Sequence, residues 1–473
     1  MKQLKILPTI GPASEKETSL KKILEFTDII RTNGSHNSIA WHENISKLIK
    51  KIKPEALHLL DIPGVKPRTG NLETISINKD EIICFYFRSN HDSNLLYRNI
   101  RLTKPLPPIN TNNKHFSLAD GQFTFTILDY GSNFILGKSI SKFELHPHKG
   151  LNIPGAVYDD KLQLKHYKRF LGKCKNINYD VIGLSYIQSM DIINNIKHLY
   201  KDKVLVSKIE NREGLKNVKA IVDASDVIMI DRGDLAAEVG SHNLFDAVLK
   251  ITSETKKKGK PLIMATENLV SMFKKNEPTK SEIMSLGLNT IIDGDIIMLS
   301  EETAVSSNWL NTIKWLNNYL KKTKKTKVNS NYNYLESSDN KNKSRTTQLS
   351  KYKSEPSIWS SFKFNSSDNF VFISRTGASI KEFKKKYISN ESLVFTDSLL
   401  TKNLCKFWKD VTPIYLHSIS GFNDGRNIIK IMKRYKSQIF NGNRSKAVFL
   451  FILNPRKDSR ANCIYIMDKK DLD

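Results

Sequence analysis

The sequence lacks what several protein classes require. No apolar run approaches the ~18 residues that a membrane-spanning helix needs. The cysteines Cys84, Cys174, Cys405 and Cys463 are scattered, with no Cys-x-x-Cys pair. That leaves no support for a disulfide framework or for a zinc site built on paired cysteines. Lone thiols fit a reducing cytoplasm, the expected location. The N-terminus enters an apolar, strand-like run almost at once, and no secretory leader is expected there. Acidic residues are few, 48 against 75 Lys and Arg, for a formal net charge of +27. The lysines accompany many Asn and Ile along the whole chain, which reads as a solvated surface; a phosphate-rich partner is the other reading. No RNA-recognition signature, zinc finger or DNA-binding helix pair accompanies the charge, so nucleic acid is not the expected partner.

What is present is a core and a rhythm. Hydrophobic residues make up 39% of 473, enough to bury a large interior without covalent staples. Eight short apolar runs each end in polar residues: 4–11, 28–36, 56–64, 180–188, 203–210, 226–234, 261–268 and 295–303. Stretches with helical patterning separate most of them, including 14–27, 37–52, 189–201, 242–257 and 305–320. Such alternation implies βαβ units and a parallel sheet, and eight units predict a (β/α)8 barrel of α/β class with polar strand ends facing the active-site mouth. The rhythm breaks once. Residues 71–149 carry alternating, β-type segments and little helical pattern, so a β-rich domain is expected as an insertion after the third strand. The barrel is then 1–70 and 150–330. The polar, basic stretch around 331–353 reads as a linker, and 354–473 as a smaller C-terminal α/β domain.

Two strand ends carry candidate chemistry. Run five ends in Ser207-Lys208-Ile209-Glu210, and the i, i+2 spacing puts Lys208 and Glu210 on one face. Run six ends in Asp231-Arg232-Gly233-Asp234. Glu210 and Asp234 from neighbouring strands could share Mg²⁺, or Mn²⁺, which favours a few carboxylates with substrate oxygens and water. Lys208 beside that ion suits an anionic transition state such as a phosphoryl group in transfer. The helix start after Gly233 offers N–H groups to a carboxylate or phosphate. Each element alone is commonplace; their joint position at the ends of successive strands is not.

The chain resembles the pyruvate kinase family. The resemblance rests on Thr9-Ile10-Gly11-Pro12-Ala13-Ser14; Arg31-x-Asn33-x-Ser35-His36; Asp61-x-x-Gly64 with Arg68-Thr69-Gly70; Gly150-x-Asn152-x-Pro154-Gly155; Ser207-Lys208-Ile209-Glu210-Asn211-x-Glu213-Gly214; Arg232-Gly233-Asp234-Leu235 with Glu238; Ala265-Thr266; Pro278-Thr279; and Asp293-Gly294 with Glu302-Thr303-Ala304. It implies the same layout: a (β/α)8 barrel, a β-barrel lid inserted after strand three and a C-terminal α/β domain. It also implies phosphoryl transfer from phosphoenolpyruvate to ADP, giving pyruvate and ATP as the last step of glycolysis, by a cytoplasmic homotetramer. Lys208 would stabilise the phosphoryl group and Arg31 contact it; Glu210 and Asp234 would bind Mg²⁺; Gly233 and Asp234 would hold the substrate carboxylate; Thr266 would help relay the proton to the enolate. Pro12, Asn33, His36, Trp41, Arg68 and Lys149 would surround the nucleotide. Asn33, Ser35, Asp61 and Lys66 would form the monovalent-cation pocket. Ser374, Thr376, Gly377 and Ser379 would form an effector corner, although a plain strand-to-helix turn looks the same.

The departures matter. Ile62 stands where Thr is usual and supplies no oxygen to K⁺, and Lys66 stands at the Glu position, so K⁺-independent catalysis is expected with the ammonium replacing the ion. In the lid, Ala119-Asp120-Gly121 has one carboxylate where the family has two. Ser185-Tyr186-Ile187-Gln188, Glu267 and Glu301 also differ, and the two acids would oppose polyanion binding at the mouth. His146 and His148 read as lid surface rather than a metal site. Two rivals stay open: a weakened or inactive paralogue binding phosphorylated ligands or RNA, and a Mg²⁺-dependent aldolase acting on pyruvate enolate.

Overall fold

A computed structural model describes residues 3–87, 97–109, 113–323, 369–386, 391–418, 425–440, 446–451 and 463–472. The expected linker, 331–353, lies outside the described residues, as do 324–330 and 354–368.

The eight apolar runs form eight parallel strands: β1 (Lys5–Ile10), β2 (Ile29–Asn33), β3 (Leu57–Ile62), β4 (Val181–Leu184), β5 (Val204–Ile209), β6 (Val227–Asp231), β7 (Leu262–Ala265) and β8 (Ile296–Leu299). They close into one barrel, each beside its sequence neighbour, with β8 pairing back onto β1. Every residue of β3 and β5 is buried, as expected of parallel strands covered on both faces. The surrounding helices include α1 (Glu17–Leu24), α2 (Ile39–Ile52), α3 (Asp160–Lys173), α4 (Met190–Leu199), α5 (Arg232–Val239), α6 (Leu244–Lys257), α7 (Lys280–Ile291) and α8 (Trp309–Thr323). Local signals set their ends. Ser38 caps α2, Asp159 caps α3, and Thr279 with Glu282 form a capping box on α7.

After β3 the chain leaves the barrel and returns beside its exit, where Arg68 bridges Gly150 and Thr69 N–H donates to the Lys149 carbonyl at 2.9 Å. Between these points lie a two-stranded sheet and five strands of a six-stranded sheet, antiparallel except for one pair, whose sixth strand is Leu151–Asn152 just after the return. Phe85, Phe116, Phe125 and Phe143 fill its interior, with Phe116 and Phe125 stacked at 5.0 Å.

Strands β9 (Asn369–Ile373), β10 (Ser392–Thr396), β11 (Val411–Tyr415), β12 (Lys446–Phe451) and β13 (Cys463–Asp468) make a second sheet, ordered β11-β10-β9-β12-β13 and parallel except for β13. It packs against the N-terminal end of the barrel. One buried cluster joins Leu7, Val181 and Met298 to Phe370, Phe372, Phe383 and Trp408. Lys5 Nζ donates to the Lys406 and Trp408 carbonyls at 2.7 Å each, and Trp408 Nε1 to the Gly259 carbonyl at 3.2 Å. Gly259 has φ +62°, and a Cβ there would collide with the Lys381 carbonyl. None of the described helices is long and apolar enough to cross a membrane.

Candidate active site

The polar strand ends converge on a cleft of about 770 Å³ at the C-terminal mouth of the barrel. Register explains the convergence. Lys208 is on β5, Glu210 follows the last residue of that strand, Ile209, and Asp231 is the last residue of β6. Asp231 pairs with Ala265, the last residue of β7, so Thr266 lies one residue beyond the end of that strand. Arg31 on β2 pairs with Thr9 and Leu59, and Asn33 with Asp61.

Lys208 is the hub. Its ammonium lies 2.7 Å from Glu210, 3.2 Å from Asp61 and 3.4 Å from Asp231, and donates to Ser185 Oγ at 3.2 Å. Burial opposes its charge, but the three carboxylates outweigh burial and raise its pKa above the ordinary lysine range. Arg31 holds Asp61 through Nε at 2.9 Å and Nη2 at 2.8 Å. Glu210 accepts from the Tyr186 N–H at 2.5 Å, and burial pushes its carboxyl up to about 8 against the pull of Lys208. Glu210, Asp231 and Asp234 each offer a carboxylate oxygen, all within 4.8 Å of one another. These hard oxygen donors suit Mg²⁺ or Mn²⁺.

Asp234 is bound through Oδ1 to Lys66, to Asn152 Nδ2 at 3.2 Å and to the Tyr186 hydroxyl at 3.1 Å. Burial opposes its ionisation, but Lys66 outweighs it and holds the carboxyl well below the usual range. Lys66 also reaches Asp120 at the lid tip, 3.0 Å away. Its charge is favoured by these two carboxylates despite burial. Asp120 belongs to a turn in which Ala119, Asp120 and Gly121 all have positive φ. A Cβ on Gly233 would lie 3.8 Å from Asp120 Cβ, so the Asp120 carboxylate sits over the Gly233 end of the cleft.

The structure therefore separates Lys66 from its expected companions. Asp61 is taken by Arg31 and Lys208, Ser35 N–H turns to Asn33 Oδ1 at 3.1 Å, and the Lys66 ammonium is drawn to two other carboxylates. Trp41 is also displaced from expectation. Its indole donates to Glu15 at 2.5 Å and packs on a core cluster, and it is not part of the cleft lining. Pro12, Asn33, His36, Arg68 and Lys149 do line the cleft. His36 is held to about 4 by burial and by the charges of Arg68 and Arg31. Glu267 and Glu301 line the mouth as well. His148 is in the lining, whereas His146 pairs with Thr74 on the lid at 2.9 Å.

In the distant C-terminal corner, Ser374 Oγ accepts from the Gly377 N–H at 3.0 Å and Thr376 Oγ1 from the Ala378 N–H at 3.4 Å. Arg375 is paired with Asp397, and Ser379 is buried. This is the hydrogen bonding of an ordinary strand-to-helix turn.

Sequence reasoning missed Tyr186, Asn152, Arg232 and Asp231. Arg232 holds the loop after β7, through Nε to the Ala265 carbonyl at 3.3 Å and Nη2 to Asn268 at 2.8 Å and to the Thr266 carbonyl. Signals were available: Asn152 and Arg232 stand within the motif series, and Asp231 ends the strand that leads into Asp234.

Comparison with known proteins adds the family. The sequence model described as "Pyruvate kinase, barrel domain" matches residues 1–313. The pyruvate kinase of Encephalitozoon cuniculi is 29% identical over 321 residues, 66% of this chain and 73% of that protein. That of Thermococcus litoralis is 27% identical over 344 residues, 70% of this chain and 72% of that protein. A solved pyruvate kinase from Cryptosporidium parvum shares the fold with a TM-score of 0.78 at 22% identity, over 99% of this chain and 96% of that one.

Proposed function

The chain belongs to the pyruvate kinase family, a family of phosphotransferases, and from that premise we propose the roles of its residues in moving a phosphoryl group from phosphoenolpyruvate to ADP. The observation that carries the reading is the Lys208 hub: a buried ammonium ringed by Asp61, Glu210 and Asp231 at the bottom of a cleft lined by Arg31, His36, Arg68 and Lys149.

Two polyanions must be brought together, so cations and ordered N–H groups have to dominate. Lys208 and Arg31 hold the phosphoryl group as it changes partners. The backbone around Gly233 and Asp234 at the start of α5 binds the substrate carboxylate through the Asp234 N–H, the Gly233 N–H being given to Thr266 Oγ1 at 3.1 Å. Arg68, Lys149, Asn33 and His36 face the nucleotide phosphates, and Pro12 its base. Glu210 and Asp234 would hold the Mg²⁺, which supplies positive charge to the phosphoryl and enolate oxygens; Asp231 stands within reach of the same ion. Thr266 serves the protonation that turns enolate into pyruvate, a strongly downhill step that drives ATP formation. We carry the homotetramer and the cytoplasmic location as parts of the same reading; the buried free thiols Cys84, Cys174 and Cys405 support the latter.

Lys66 extends the proposal to K⁺-independent catalysis. Its ammonium is a resident positive charge between the lid carboxylate and Asp234, and Ile62 offers no oxygen to a monovalent ion. Pyruvate formation from phosphoenolpyruvate and ADP with Mg²⁺, run with and without K⁺, tests both parts. Turnover is expected in either medium and should fall at least a thousandfold in Lys208→Met. Turnover only with K⁺ overturns the Lys66 part. No turnover from folded protein in either medium overturns the assignment in favour of a non-catalytic paralogue.

A further inference from the structure

Asp231 touches two of the groups that the proposed reaction needs, and it does so with different oxygens. Oδ2 lies 3.4 Å from the Lys208 ammonium. Oδ1 accepts the Thr266 hydroxyl at 3.0 Å. The residue is buried, ends β6, and lines the cleft. Because its paired neighbour on β7 is Ala265, its carboxylate meets Thr266 by register rather than by a flexible reach.

The hydrogen-bond inventory of Thr266 is nearly complete. A hydroxyl has one proton and two lone pairs. The Gly233 N–H fills one lone pair at 3.1 Å. The proton points to Asp231 Oδ1, with the Ala265 carbonyl at 2.8 Å as the alternative acceptor. That carbonyl also accepts from Arg232 Nε at 3.3 Å, and a carboxylate oxygen is the stronger acceptor of the two. Thr266 and Glu267 have φ of 59° and 52°, a region that costs a β-branched residue ~1–3 kcal/mol and persists only where surroundings enforce it. Arg232 enforces it by binding the Thr266 carbonyl.

We propose that Asp231 is a positioning residue that turns the Thr266 hydroxyl proton inward, so that Thr266 presents a lone pair, not a proton, to the cleft. This rests on the pyruvate kinase reading. In the protonation step the C2–C3 π pair of the enolate forms a new C3–H bond and the C2 oxygen closes to a carbonyl. The proton comes from a water molecule that Thr266 orients by accepting its other hydrogen, and that water recovers a proton from bulk solvent. Thr266 thus steers the donor without being the donor.

The test follows deuterium entry into the methyl group of pyruvate in D₂O, by NMR, with the whole enzyme, Mg²⁺ and ATP, beside the rate of ATP formation in the forward direction. In Asp231→Ala the hydroxyl is released, and methyl exchange is expected to fall at least tenfold relative to forward turnover. In a Thr266→Val background the same change should move that ratio less than twofold, because the group being positioned is gone. Asp231→Asn keeps an acceptor oxygen of the same shape and should keep the ratio within threefold, which also covers the case in which the alanine variant fails to fold. An unchanged ratio in Asp231→Ala, an equal fall in the Thr266→Val background, or a loss in a folded Asp231→Asn matching that of Asp231→Ala overturns the proposal. If the wild type shows neither turnover nor exchange, the underlying assignment falls and takes this inference with it.

Discussion

A lysine and a glutamate two residues apart are ordinarily a surface pair contributing ~0–1 kcal/mol. Lys208 and Glu210 differ because the barrel removes water from both and surrounds them with further charge. Histidine gives a titration that can be followed. His58 is fully buried, bonded to Thr32 Oγ1 at 2.8 Å, and burial lowers it from 6.5 to about 3. Its folded pKa is depressed, so between pH ~3 and ~6.5 the unfolded chain binds the extra proton, and stability rises with pH across that window. The contribution is complete above pH ~6.5 and is lost as pH falls toward ~3. His58→Gln should flatten the stability–pH slope between pH 4 and 6 by up to one proton, read by urea unfolding at stepped pH. A slope equal to that of the wild type would count against this account.

The barrel elements repeat a single design: short strands of mostly apolar residues, with polar residues at or just beyond their C-terminal ends. This was readable along the chain because burial on both faces requires a continuous apolar run, and the mouth requires polar ends. Helix caps were equally local. Thr279 and Glu282 form a reciprocal box at the start of α7, and Glu282 also accepts from the Ser271 N–H at 2.8 Å, tying the helix to the loop before it. Thr279→Ala should destabilise the protein by about 1 kcal/mol, and Glu282→Ala should cost more because it frees two sites; chemical unfolding of both variants checks the order. Residues in the wrong place for a sequence reader were those whose partner lies on another strand, as with Asp231 and Thr266.

At the scale of the whole molecule, catalysis and cohesion occupy opposite ends of the barrel. The C-terminal sheet seals the far end through Trp408, Lys5 and Gly259. Trp408→Ala should cost ~3–5 kcal/mol as a large buried residue lost, and Gly259→Ala should also destabilise, since its φ and the Lys381 carbonyl leave no room for a methyl group. Scanning calorimetry should find lower unfolding midpoints in both, with the KM for phosphoenolpyruvate unchanged; an altered KM would show that the two ends communicate. At the mouth, Lys66 links lid to barrel, and Lys66→Met should raise the KM of both substrates by loosening that closure.

The barrel, the β-rich insertion, the C-terminal α/β sheet and the motif series that carries the family were all legible along the chain. All of these depend on local period or on short runs whose chemistry is read in order. The tertiary structure alone decided that Lys66 turns from the expected cation pocket to Asp120 and Asp234, that Trp41 joins the core near Glu15, and that Asp231 grips Thr266. A charged side chain at the end of a barrel strand has several opposite charges within reach from neighbouring strands, and only register and desolvation select among them.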